Sequence, residues 1–279
     1  MTDIIEKIGS GTYIQHGKLN DRIYLMKLNK SDFPGVLEEI FALAEKNNYS
    51  KIFCKVPQWA AAFLYSKGFI AEAQIPRFYN NSEDVFFMSM FQPERFINPE
   101  HEMLELLSQQ LLNITNAPKA IEVPSDFHLT RLKTENAEAI AELYKAVFES
   151  YPFPIFDPKY IIKTMNENIQ YYGIEKEGKL IGLSSAEMDE KGQNAEMTDF
   201  ATLPEFRGQK LAYILLLIME QEMKLQGIST VYTIARLNSM AMNKTFQNAN
   251  YKYSGTLIHN TNISGKIESM NVYYKHLYI

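Results

Sequence analysis

Residues 198–227 place a β-prone run, a proline, a short glycine-bearing loop and a long apolar helix in immediate succession, and few folds accommodate that order. Thr198, Phe200, Ala201, Thr202 and Leu203 favour a strand that stops at Pro204, which has no N–H to give to a ladder. Leu211, Ile214, Leu215, Ile218, Met219 and Met223 recur at helical spacing, and Gly227 stands where a helix stops. Between strand and helix lies Arg207-Gly208-Gln209-Lys210-Leu211-Ala212. Such a loop directs unpaired main-chain N–H groups and the positive end of the helix dipole at one spot, which suits a pyrophosphate. On these residues alone, an ordinary strand–helix turn with an incidental Arg-Gly reads the same way.

The segment resembles motif A of the GNAT superfamily of acyl-CoA N-acyltransferases, whose loop reads Arg/Gln-x-x-Gly-x-Gly/Ala. Arg207 and Ala212 fill the outer places, and Lys210 stands where the family has its middle glycine. Leu203-Pro204-Glu205-Phe206-Arg207-Gly208 is similar to the Pro-Glu-Tyr-Arg-Gly common there. The resemblance implies an α/β (α+β) fold with a central mixed, mostly antiparallel sheet flanked by helices. It implies acetyl-CoA as co-substrate and no metal. Arg207, Gly208, Gln209, Lys210, Leu211 and Ala212 would cradle the pyrophosphate, and the backbone of Phe200, Ala201 and Thr202 would pair with the pantetheine.

A length of 279 residues suggests two domains. The formal net charge of −5 gives no electrostatic case for nucleic acid, which favours a basic patch. The single cysteine, Cys54, sits in an apolar run, so disulfides and cysteine metal sites are not expected. The five histidines are scattered without metal-ligand spacing. The first residues lack the basic and apolar regions of a signal peptide, and the apolar run 211–219 falls short of the roughly 20 residues that span a bilayer. The expectation is a cytoplasmic protein with no membrane partner, acting on a small molecule, with a homodimer left open.

In chain order, 12–28 reads as two strands, Ser31-Asp32 as the cap of a helix over 33–46, 50–56 as a strand, 58–66 as a helix, and 71–79 and 84–91 as paired strands. Met103, Leu106, Leu107, Leu111 and Leu112 mark a connecting helix with an apolar face. A similar order begins again at 127, with helices over 135–148, 158–168 and 239–249 and strands at 171–176, 179–188, 229–235, 251–259 and 267–277. Leu64-Tyr65-Ser66-Lys67-Gly68-Phe69 resembles a signature near the end of many GNAT domains, yet Lys27–Ser31 holds no glycine loop. Residues 1–120 are therefore expected to be a smaller, degenerate GNAT-like domain with its connecting helix, and 121–279 the catalytic domain. The resemblance covers roughly 127–277 and is strongest over 181–251.

Acetyl transfer to an amine needs a group that removes the ammonium proton and donors that hold the thioester oxyanion. The resemblance assigns Glu196, at the start of the central strand, as base or amine ligand; a solvated strand-end carboxylate is the plainer reading. Alternation puts Glu196, Thr198 and Phe200 on one face, with Asp199 on the other unless a bulge intervenes, as it usually does in the family. Phe246 fills the position of the family's tyrosine acid, leaving Tyr251, Tyr253 or unassisted departure of the thiolate. Asn238 and Asn243 match asparagines that hydrogen-bond the pantetheine, although Asn238 also reads as a helix cap. The stiff loop Glu149–Pro158, with three prolines among its aromatics, lies where the family selects its acceptor. Glu149, Asp157, Glu196 and Asp199 would jointly neutralise a diamino substrate while Tyr151, Phe153 and Phe156 wall its methylenes, and Arg236 or Lys244 would meet a carboxylate. The loop resembles that of a narrower group, the β-lysine N6-acetyltransferases, which make the compatible solute Nε-acetyl-β-lysine. Alternatives are another amine acceptor (a polyamine, amino acid or protein lysine) and a non-catalytic acyl-CoA-binding module.

Overall fold

Strands with apolar residues on both faces need cover on both sides, and the two halves of this chain cover each other. The computed structural model describes residues 3–96, 101–112 and 124–278. The N-terminal half contains β1 (Ile4–Ile8), β2 (Thr12–Gly17), β3 (Arg22–Lys27), α1 (Val36–Asn47), β4 (Lys51–Pro57), α2 (Gln58–Ser66), β5 (Ile70–Tyr79) and β6 (Glu83–Phe91). Its sheet runs in the order β1-β2-β3-β4-β6-β5. Ile23, Leu25, Ile52, Cys54 and Val56 pack under Val36, Leu37 and Ile40 of α1 and Ala60 and Leu64 of α2. By period-two alternation, Tyr24 and Phe53 point the other way, into a cluster with Phe78, Phe87, Tyr232, Leu257 and Val272 that joins the halves.

The short α3 (Pro93–Phe96) and α4 (His101–Leu112) follow. Leu107 of α4 is buried in the core of the C-terminal half, so the connecting helix docks rather than swings free. The boundary expected near residue 120 lies outside the described residues. The C-terminal half contains β7 (His128–Leu132), α5 (Ala137–Val147), α6 (Pro158–Glu167), β8 (Ile169–Lys176), β9 (Lys179–Asp189), β10 (Asn194–Thr202), α7 (Leu211–Leu225), β11 (Thr230–Arg236), α8 (Met240–Asn248), β12 (Lys252–Ile263) and β13 (Lys266–His276). Its seven strands run β12-β13-β11-β10-β9-β8-β7. Only β3 with β4 and β10 with β11 pair in parallel among the described strands; every other pair is antiparallel.

A buried polar clamp ties the halves at β5 and β12. Lys51 Nζ donates to Glu72 at 2.9 Å and to the Ile258 carbonyl at 2.8 Å, and Glu72 accepts from the Ile258 amide at 2.6 Å. Arg95 adds donors to the His259 carbonyl at 2.6 and 2.8 Å. Gly255 is required at this contact, because a Cβ there would meet the Glu72 carbonyl at 2.0 Å.

Two local expectations change. The edge strand β1 was not anticipated, since four of its five residues are exposed and show no burial rhythm. Asp32 does not cap α1, whose N-cap is Gly35 with no side-chain bond. Its carboxylate instead accepts from the amides of Ser10, Gly11 and Thr12, closing the β1–β2 turn. The Ser10 hydroxyl first, then the Ser10 amide and the Thr12 hydroxyl, hold its pKa well below the usual carboxylate range.

Candidate active site

The loop after β10 has the geometry that its sequence implies. Pro204–Phe206 form a single 3-10 turn, Arg207 to Lys210 are exposed, and α7 starts at Leu211 with no side chain capping its first turn. Gly208 has φ +81° with open space where a Cβ would stand. Lys210, at the family's middle-glycine position, has φ 61° and ψ 22°. That left-handed backbone explains a glycine preference there; a lysine accepts it at about 1 kcal/mol. The uncapped first turn of α7 and the exposed lysine fit a pyrophosphate. Behind the loop, α7 buries Leu211, Ile214, Leu215, Leu216, Met219 and Met223 against the sheet, which fixes where its N-terminus points.

The central sheet is open beside this loop. β10 and β11 pair only at Asn194, Ala195 and Glu196, opposite Thr230, Val231 and Tyr232. Beyond Glu196 both strands continue but no longer pair with each other, and the Thr202 carbonyl accepts from Arg207 Nε at 3.4 Å instead of from β11. Leu203 turns its N–H to Ile181 on β9 at 3.0 Å. By alternation, Thr202 then faces the open side.

A bulge lies between Thr198 and Ala201, with Asp199 at φ 56°. It brings Asp199 to the cavity that Glu196 and Thr198 line. It also displaces Phe200 from the face it would share with Glu196; Phe200 packs instead on Phe246, with ring centroids 5.6 Å apart.

Between the halves lies a cavity of about 960 Å³. Glu196, Asp199 and Glu187, the cross-strand neighbour of Glu196, line it from the C-terminal half. Tyr24, Lys55, Phe78 and Tyr79 line it from the N-terminal half. Lys55 Nζ donates to the Tyr232 hydroxyl at 2.9 Å, and Tyr232 in turn hydrogen-bonds Glu196. Burial, reinforced by the facing Glu187 carboxylate and opposed by Lys55, pushes the pKa of Glu196 up to about 7. Burial also raises Glu187 and Asp199. Burial alone would lower Lys55, but Tyr232, Tyr24, Glu196 and Glu187 hold it well above its ordinary value. Asp199 accepts from Ser185 at 2.6 Å and from the Tyr151 hydroxyl. A carboxylate poised near neutrality is a suitable acceptor for an ammonium proton.

The acceptor loop divides. Tyr151 and Phe153 line the cavity. Glu149 is exposed and outside it. Asp157 is also exposed, and its carboxylate caps α6 by accepting the Lys159 amide at 2.9 Å. Asn243 is fully buried and braces the chain after β11. Its Nδ2 reaches the carbonyls of Arg236, Leu237 and Ser239 at 2.9–3.1 Å, and its Oδ1 accepts from Asn271 at 2.8 Å. Every hydrogen-bonding group of that side chain is engaged, so Asn243 shapes the cleft wall from behind. Asn238 is half-buried and hydrogen-bonds Glu268. Phe246 packs in the core with Phe200, Tyr251 and Tyr273. Arg236 is held bidentate by Glu268 at 2.8 and 2.9 Å, and Lys244 is exposed, so neither supplies a cation to the cavity.

Sequence reading missed Lys55, Tyr24, Glu187 and Tyr232. The available signal was weak: Lys55 is one of two lysines in the largely apolar β4, and Glu187 stands two residues before the end of β9.

A glycine loop at the mouth of a buried helix, an unpaired strand edge beside it and a carboxylate poised near neutrality are together the features of an N-acyltransferase. Residues 137–250 match the acetyltransferase (GNAT) family. A β-lysine N(6)-acetyltransferase of Methanococcus maripaludis is 40% identical over 94% of this chain and 95% of that protein. N-acetyltransferase YodP of Bacillus subtilis is 31% identical over 99% of this chain and 100% of its own length. A β-lysine N(6)-acetyltransferase of Methanosarcina mazei is 28% identical over 88% of this chain and all of its own. The chain belongs to the GNAT family and is an N-acetyltransferase that takes acetyl-CoA as co-substrate.

Proposed function

We propose that the protein transfers the acetyl group of acetyl-CoA to the terminal amine of β-lysine, giving Nε-acetyl-β-lysine, a zwitterion suited to a compatible solute. Acetyl-CoA lies with its pyrophosphate on the Arg207–Ala212 loop and its pantetheine along the open edge of β10. The acceptor enters the cavity between the halves, and transfer is direct, in a ternary complex. Glu196, itself or through a water, takes the ammonium proton. The freed amine attacks the thioester carbonyl, and main-chain amides on the open side of β10 stabilise the oxyanion. As the intermediate collapses to the amide the C–S bond breaks, coenzyme A leaves as thiolate, and the second proton of the nitrogen passes through water to that sulfur or to solvent.

The observation that carries this reading is Glu196, with its pKa near 7, in an acidic cavity where the central strands part. Two relatives named for β-lysine, one at 40% identity over nearly its full length, support the choice of acceptor. Purified protein with acetyl-CoA and β-lysine should release coenzyme A in equal amount to a product acetylated at the terminal amine, read by thiol titration and mass spectrometry. Turnover confined to polyamines or peptides would remove β-lysine as the substrate.

A further inference from the structure

We propose that the N-terminal half supplies a subsite for the acceptor's carboxylate, with Arg22 as the residue that binds it. The inference rests on the reading of the acceptor as a diamino acid. β3 and β4 turn Arg22, Tyr24, Phe53 and Lys55 into the shared cavity. Arg22 pairs with Lys51 and Tyr24 with Phe53. Lys55 therefore stands four residues along β4 from the level of Arg22, about 13 Å at the usual rise of a strand. The cavity is thus polar in two different ways. Lys55 and the three carboxylates Glu187, Glu196 and Asp199 occupy one end, and Arg22 is a cation at the other.

Arg22 is 3% exposed, and among the described residues it forms no ion pair. Its Nη1 donates to the Asn260 carbonyl and to the Thr261 hydroxyl at 3.2 Å, while its Nε has no partner. Neighbouring cations are engaged: Lys51 with Glu72, and Arg95 with Asp21 and main-chain carbonyls. The guanidinium lies 5.3 Å from the Tyr24 ring and 5.6 Å from the Phe53 ring, which restricts its plane. Burial brings its pKa down to about 10, so it is still charged at neutral pH. A buried cation with an unused donor is costly unless an anion meets it, and a guanidinium matches a carboxylate with two parallel bonds. A molecule with ammonium and carboxylate at opposite ends satisfies both poles. It then presents its far amine to Glu196.

The test is initial-rate kinetics on the full-length enzyme with β-lysine and with β-lysine amide, which differs only in lacking the carboxylate charge. Wild-type kcat/KM should favour β-lysine by roughly 10- to 100-fold, the value of a charged hydrogen-bonded pair, mostly through KM. Arg22→Gln should raise KM for β-lysine until this ratio approaches one, leaving the amide unchanged. Arg22→Lys should keep part of the preference, and thermal melting controls for folding. Equal wild-type rates on acid and amide overturn the subsite, even if neither variant folds, and leave β-lysine as a substrate. Arg22→Gln slowing both substrates equally also overturns it, by showing that Arg22 only braces β12. Wild-type enzyme that acetylates neither compound overturns the proposed function itself, and the subsite with it.

Discussion

In the N-terminal half, the parallel pair β3 and β4 holds together over Arg22–Leu25 and Lys51–Cys54, and the chain after β3 turns back on its own side chains. Asn29 accepts from the Ser31 amide, and Asp32 gathers the amides of the neighbouring turn. In the C-terminal half, the corresponding pair, β10 and β11, separates after Glu196, and the chain after β10 reaches α7 with no side-chain cap. Neither α1 nor α7 has a side-chain cap. The halves differ in that only the C-terminal strand pair parts, while the first-turn amides of Leu37 and Glu38 in α1 already bond the Pro34 and Gly35 carbonyls at 3.0 Å. The N-terminal half has another role: the sheet face that carries Arg22, Tyr24, Phe53 and Lys55 forms the far wall of the cavity shared with the C-terminal half.

The comparison breaks first at Glu196. Glu196→Gln should lower kcat by about 10²- to 10⁴-fold and remove the limb of the pH–rate profile near 7, below which activity falls as the carboxylate protonates. The same substitution should raise thermal stability at pH 8. A carboxyl whose folded pKa exceeds its unfolded one stabilises most below pH 4.5, and that contribution is lost as pH rises through 7. A profile unchanged by Glu196→Gln would put the base elsewhere. Next is the clamp. Glu72→Ala removes the carboxylate that helps keep a proton on Lys51, whose pKa burial already brings down to about 7, and takes the acceptor from the Ile258 amide; the loss should be about 1–3 kcal/mol by denaturant unfolding. If the halves melt separately while the C-terminal transition stays put, they do not support each other as described.

Smaller effects sharpen the comparison. Lys55→Met removes the positive charge that opposes the rise of Glu196's pKa, so the acidic limb should move to higher pH, with roughly tenfold less activity at pH 6.5 for each unit moved. No movement of that limb would make the N-terminal wall a bystander to the proton transfer. Lys210→Gly relaxes a left-handed lysine but deletes a charge from the loop. Folding stability should change by less than about 1 kcal/mol, while KM for acetyl-CoA rises a few-fold, more at low salt.

What the sequence disclosed was local in origin. The α7 boundary, its loop and the strand before it followed from a proline, glycines and a helical period within thirty residues, and α2 fell within the limits expected of it. The bulge at Asp199 was expected only by family analogy, for nothing in Thr-Asp-Phe announces a left-handed aspartate. Asp157 precedes Pro158 at a helix start, and that spacing is itself a capping signal that accounts for its carboxylate without a substrate. Lys55 and Arg22 were illegible for a different reason. Each is a polar residue in a strand whose hydrogen-bond partners (Tyr232 for Lys55, Asn260 and Thr261 for Arg22) come from more than a hundred residues away, and alternation alone does not say what a face will meet.

The parting of β10 and β11 makes this a sheet one strand short, interrupted in its middle rather than at its rim. A thioester whose amide groups run along that gap would complete the ladder, acting less as cargo than as a temporary piece of architecture. Deuterium uptake by the amides of 197–202 should therefore slow sharply once coenzyme A is added. The two flanking strands should stiffen with them, so that the enzyme is most fully folded while it is working.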